Sequence, residues 1–172
     1  CMTHRPRCIF FKIVFLALPN HAGGTLISAC HIVTAAHCVA DPSKPIGAVF
    51  VNAYRPYIEN GDVPFHFSEV REVTRHGAFN MTTNENDIAL IEMDQCLNVT
   101  EFPPAVPANP STDIPSGLMV DILGFGKLSE EGNMFFNVES LQMAVVPVIP
   151  RESCMQYYGT KIKIDMFCGG FA

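Results

Sequence analysis

The sequence predicts an all-β protein, a sandwich or barrel in two lobes, on three observations. Short β-rich runs recur between turn signals along 172 residues, and helical periodicity is almost absent. One proline-rich tract, "EFPPAVPANPSTDIPSG" from Glu101 to Gly117, cannot form a central strand and reads as an extended linker between the lobes. Hydrophobic residues make up 48% of the chain and charged ones 16%, enough apolar side chain for a sizeable core.

The first run, Lys12 to Leu18, lies within Ile9–Leu18, "IFFKIVFLAL". Its period-2 reading and β-rich composition suit a buried strand, whereas His4, Arg5 and Arg7 just ahead of it also fit the charged region before a signal-peptide core. Lys12 interrupts the run and it is too short to span a bilayer as a helix, so no membrane span is expected. Gly24–Ser28 and Ile32–Thr34 read as a hairpin with Ala29 to His31 at its tip. Ala48–Ala53, Val70–Thr74 and Ile88–Met93 follow before the proline tract, then Met119–Leu123 and Met143–Ile149 after it.

Charge excludes one class of partner. The formal net charge is −6, and Lys and Arg occur singly instead of forming a stripe, so nucleic-acid binding is disfavoured. Seven cysteines without a CxxC pair point to disulfides and an oxidising, secretory compartment. The sequons beginning at Asn80 and Asn98 are glycosylation acceptors in that setting. An odd cysteine count leaves at least one thiol free, joined to another chain, or awaiting a partner outside these residues.

The segment "GGTLISACHIVTAAHC" and the segment "NDIALIEM" carry the candidate chemistry. Serine-type peptide hydrolysis needs an imidazole to take the hydroxyl proton and a carboxylate to fix its tautomer and stabilise the imidazolium. His37 and Asp87, fifty residues apart, supply those groups. Asp87 stands where a polar residue meets a hydrophobic strand, a place for a half-buried carboxylate satisfied by neighbouring donors. Taken singly, His37 reads as a satisfied core histidine and Asp87 as a strand-start cap.

Together with "RHGAFN", these segments resemble the trypsin/chymotrypsin-like serine peptidase family. "LGFGK" is similar to that family's Gly-Trp-Gly segment, "LQMAVVPVIPRESC" to its next strand and helix entry, and "DMFCGGF" to its cysteine-bearing strand before the nucleophile. The resemblance covers nearly the whole chain in the family's order. It implies a double β-barrel, the first complete over residues 1–104 and the second partial over 117–172, with 105–116 as linker and the site at the junction. It also implies His37 as general base, Asp87 as its orienting acid, polypeptide as substrate, and no cofactor or metal.

The resemblance stops short of the nucleophile. The family's serine lies in Gly-Asp-Ser-Gly-Gly, soon after the strand similar to Met166–Gly170, and no Gly-x-Ser-x-Gly occurs in these residues. A polypeptide of this sequence alone is therefore expected not to cleave peptide bonds by the triad mechanism. The sequence reads as truncated, with unpaired edges and apolar faces in its second lobe that call for a partner or limit solubility. Arg7-Cys8-Ile9-Phe10 is a poor match to the family's Ile-Val-Gly-Gly activation terminus. The competing classes are a non-catalytic homologue that binds a protein partner, and a truncated product with no stable function.

Cys154 and Cys168 match the family's loop-closing disulfide. Cys38 resembles a cysteine whose usual partner precedes the Gly-Gly pair, a position held here by Ala22. If Ile32–Thr34 pairs antiparallel with Ile88–Met93, His37 beside Asp87 at one end sets Cys30 beside Cys96 at the other, which implies a Cys30–Cys96 disulfide. Cys1, Cys8 and Cys38 stay unassigned. Cys30, His31, His37 and Cys38 suggest a zinc set at first sight, but the hairpin separates their halves and no metal is expected. His76 is expected in a surface loop with a structural role. Phe10-Phe11 and Phe135-Phe136 are expected to be core or loop anchors.

Overall fold

The computed structural model describes residues 13–16, 22–51, 66–109, 114–124 and 141–171. Cys1, Cys8, the activation-like Arg7–Phe10 stretch, both Phe-Phe pairs and Phe125 to Lys127 of "LGFGK" lie outside the described residues.

Alternation of apolar and polar side chains builds the first lobe. Strands β1 (Ile13–Leu16), β2 (Ala22–Leu26), β3 (His31–Thr34), β4 (Ala48–Val51), β5 (His66–Arg75) and β6 (Ala89–Met93) close into an antiparallel barrel in the order β1-β2-β3-β6-β5-β4. In β3 Ile32 and Thr34 point inward, in β4 Val49 and Val51, and in β6 Ala89, Ile91 and Met93, the two-residue period of a half-buried strand. Val14, Leu26, Ile32, Val49, Ile91 and Met93 fill the barrel, each at most 1% exposed. Each such side chain contributes about 1.5–3 kcal/mol of burial free energy.

Among the described residues, two buried hydroxyls sit in this apolar interior, and both are satisfied. Thr34 Oγ1 donates to Gly23 O at 2.8 Å. Ser68 Oγ donates to Glu69 O at 2.9 Å and accepts the Gln95 N–H at 3.1 Å. Strand β5 is longer than the expected Val70–Thr74. Its outward residues are mostly polar, Phe67 being the exposed apolar exception, and a register shift between Val70 and Glu72 interrupts the pairing with β6. Arg71 then reaches Glu92 at 2.9 Å across the two strands.

Beyond the barrel the chain runs without regular structure through residues 103–109, tied back where Ala105 N–H donates to Leu26 O at 2.8 Å. A turn at Pro115–Leu118, closed by Leu118 N–H to Pro115 O at 3.2 Å, requires the positive φ of Gly117, +81°. Strands β7 (Met119–Gly124), β8 (Gln142–Ile149) and β9 (Cys168–Gly169) form a three-stranded antiparallel sheet in that order. Between β8 and β9 lie helix α1 (Arg151–Tyr158) and a 3-10 turn (Gly159–Lys161). Met119, Ile122, Met143, Phe167 and Phe171 of this lobe are exposed. The fold is all-β, one closed six-stranded barrel followed by a three-stranded antiparallel sheet.

Candidate active site

His37 lies on a 3-10 turn, Ala36–Val39, that leaves the inward end of β3. Ala36 is fully buried, which fixes the turn against the barrel and directs the next side chain out to solvent. The antiparallel register of β3 with β6, Ile32 opposite Ile91 and Thr34 opposite Ala89, then brings the start of β6 beside this turn. Asp87 meets His37 there twice. The His37 backbone N–H donates to Asp87 Oδ1 at 2.8 Å, and the imidazole Nδ1 lies 2.6 Å from Asp87 Oδ2.

That double grip sets the tautomer. An ionised carboxylate only accepts, so Nδ1 carries the proton it shares with Asp87, and neutral imidazole is left with Nε2 as its acceptor. The imidazole is 55% exposed and the carboxylate 22% exposed, so the acid is screened while the base faces outward.

Nε2 is not alone. Cys38 Sγ lies 3.4 Å from it, with the thiol as donor. Cys38 carries no disulfide. Burial pushes its thiol pKa above the ordinary value, the Asp87 charge adds to the rise, and a hydrogen bond with Thr34 partly opposes it. Sequence reasoning left Cys38 unassigned; adjacency to His37 was visible, but a contact between neighbouring side chains depends on the turn's dihedrals.

The loop before Asp87 is held by several contacts. Asn84 and Asn86 have φ of +55° and +56°, a region that asparagine tolerates better than most residues. Asn86 Nδ2 donates to Ala78 O at 3.1 Å, and the Asn86 N–H donates to Asp165 Oδ2 at 2.6 Å, from the second lobe. Asp165 was not singled out from sequence, and no local signal marks a residue 79 positions from its partner. His76 is exposed in the same loop, where its Nδ1 accepts the Ala78 N–H at 3.2 Å.

A cleft of about 580 Å³ opens beside the pair, lined by Thr82, Thr83, Asn84 and Asp87 on one side and by Lys161 and Lys163 on the other. Among the described residues, two disulfides frame the surroundings. Cys30 is bonded to Cys96 with Cα atoms 4.4 Å apart, at the end of the β3–β6 ladder opposite Asp87. Cys154 of α1 is bonded to Cys168 of β9, Cα atoms 6.3 Å apart. The Cys30 sulfur is therefore not available to a metal, and among the described residues no group of three His, Cys, Asp or Glu side chains could hold one. Both sequon asparagines are exposed. Asn80 Oδ1 accepts the Thr82 N–H at 2.9 Å and Asn98 Oδ1 accepts the Thr100 N–H at 3.0 Å. Among the described residues no helix is long and apolar enough to cross a membrane.

A closed six-stranded barrel with an Asp-gripped histidine on the turn after its third strand, followed by a second antiparallel sheet, defines a class. The chain belongs to the trypsin family, whose model matches residues 11–172. Among curated relatives, mannan-binding lectin serine protease 1 of Rattus norvegicus is 27% identical over 167 residues, covering 86% of this chain and 22% of that protein. Mannan-binding lectin serine protease 1 of Mus musculus is 26% identical over the same length and shares. The chain thus spans about a fifth of the length of these relatives.

Proposed function

We propose that these residues supply the base and orienting acid of a secreted serine endopeptidase of the trypsin family. His37 Nε2 takes the proton of a serine hydroxyl as that oxygen attacks the peptide carbonyl, then returns it to the leaving amine. Asp87 holds Nδ1–H throughout and stabilises the imidazolium. A water molecule repeats the cycle on the acyl-enzyme. The chemistry calls on side chains and water alone, and the substrate is polypeptide. The observation that carries this reading is the 2.6 Å contact of His37 Nδ1 with Asp87 Oδ2, reinforced by the backbone N–H at 2.8 Å.

This reading requires a serine nucleophile in a Gly-Asp-Ser-Gly-Gly segment, a motif that residues 1–172 do not contain. Residues 1–104 are the barrel lobe, 105–116 the linker and 117–172 the part of the second barrel present here. Extracellular residence is supported by the two disulfides, and Asn80 and Asn98 are the proposed glycan acceptors.

A second reading, a non-catalytic homologue that binds a protein through this surface, is favoured by one observation: the thiol of Cys38 already occupies Nε2, the atom that must receive the proton. Reading the coding sequence past Ala172 separates the two. Gly-Asp-Ser-Gly-Gly in frame, with peptide cleavage by the full-length protein, supports the peptidase. An in-frame stop or a replaced serine supports the homologue.

A further inference from the structure

We infer that Asp165 is a positioning residue for the His37–Asp87 pair, acting across the cleft from the second lobe. The inference rests on the reading of His37 as base and Asp87 as its orienter. Asp165 Oδ2 accepts the backbone N–H of Asn86 at 2.6 Å, a short charge-assisted bond to the residue directly before Asp87. That peptide needs a hold. Asn86 sits at a φ of +56°, which an L-residue adopts at a conformational cost, and the direction of the Asp87 side chain follows from it.

The acceptor is itself braced. Arg151 at the start of α1 donates from Nη1 to Met166 O at 3.0 Å and from Nη2 to Ile162 O at 3.2 Å, on either side of Asp165. Met166 N–H closes a turn onto Lys163 O at 3.0 Å. The Cys154–Cys168 disulfide ties this loop to the same helix. A connection thus runs from α1 through Arg151 to the backbone of the loop that carries Asp165, and from Asp165 through Asn86 to Asp87 and the imidazole. Two lobes with no shared strand thereby set one proton-transfer geometry.

The test reads the His37 Nδ1–H proton by NMR in the full-length protein, through its exchange rate with water, for Asp165→Ala, Asp165→Asn and Asp87→Asn. Asp165→Ala should raise the exchange rate about tenfold, because the Asp87 loop opens more often. Asp165→Asn, which keeps a carbonyl acceptor and loses the charge, should stay within about twofold of the parent, a rescue that general electrostatics would not give. If Asp165→Ala fails to fold by circular dichroism, Asp165→Ser, too short to reach Asn86, takes its place. An unchanged rate in the truncated variant, or equal acceleration in Asp165→Asn, overturns the inference. Asp87→Asn is the control on the underlying reading. It should abolish the protected resonance, and persistence of that signal would reject the His37–Asp87 pairing itself, whatever Asp165 does.

Discussion

Cys38 Sγ lies 3.4 Å from His37 Nε2, the imidazole nitrogen opposite the one that Asp87 engages. The Cys38 thiol is unbridged. Two chemical results follow for the thiol. Burial and the Asp87 charge both disfavour the thiolate, and the hydrogen bond to the base ties up the proton acceptor.

Cys38 should therefore alkylate slowly. Its raised pKa leaves less thiolate at neutral pH than an ordinary cysteine has, so the iodoacetamide rate should be lower than that of a free thiol and climb as pH rises. Asp87→Asn removes a charge that opposes ionisation and should accelerate the reaction. Mass-spectrometric rates across pH decide this. Faster labelling than a free thiol at neutral pH, or slower labelling in Asp87→Asn, would contradict the assignment of causes.

The two disulfides should differ in their effect on stability. Cys30–Cys96 closes a loop of 66 residues and Cys154–Cys168 one of 14, so chain-entropy arguments give about 4 and about 3 kcal/mol respectively. Paired Cys→Ser variants compared by denaturant unfolding should show the larger loss for the first pair. Equal losses would mean that the unfolded chain does not sample the longer loop freely.

Barrel closure should depend on Ile91. It is wholly buried between β3 and β5, and Ile91→Ala should cost about 2–5 kcal/mol by unfolding free energy. Ile122→Ala, at a residue 50% exposed on β7, should cost under about 1 kcal/mol. A reversed order would mean that the second sheet, not the barrel, governs stability.

Much of the fold was legible because the inward positions of β3, β4 and β6 alternate with outward ones at a period of two, most of them apolar. Ile32 with Thr34 and Ala89 with Ile91 and Met93 declare both strand and facing, and the β3–β6 register relates the Asp87 end of the ladder to the Cys30–Cys96 end. The first four residues of β5, His66–Glu69, lay outside the expected Val70–Thr74 run, since Phe67 faces solvent there and the buried Ser68 is polar. Helix α1 was visible only through family resemblance, as "RESCMQYY" buries Cys154 alone. At the site, the meeting of His37 with Asp87 follows from the β3–β6 register that the sequence implied. Asp165 was not legible, because a side-chain bond to a backbone amide in another lobe leaves no trace in local composition.

The central claim is that His37 and Asp87 act as one proton-handling unit, and a double-mutant cycle on kcat/KM of the full-length protein tests it most directly. His37→Ala should lower turnover by roughly four to six orders of magnitude, and adding Asp87→Ala to it should lower it no further, since groups acting as a unit are not additive. Full activity in His37→Ala, or losses that multiply in the double variant, would contradict the account.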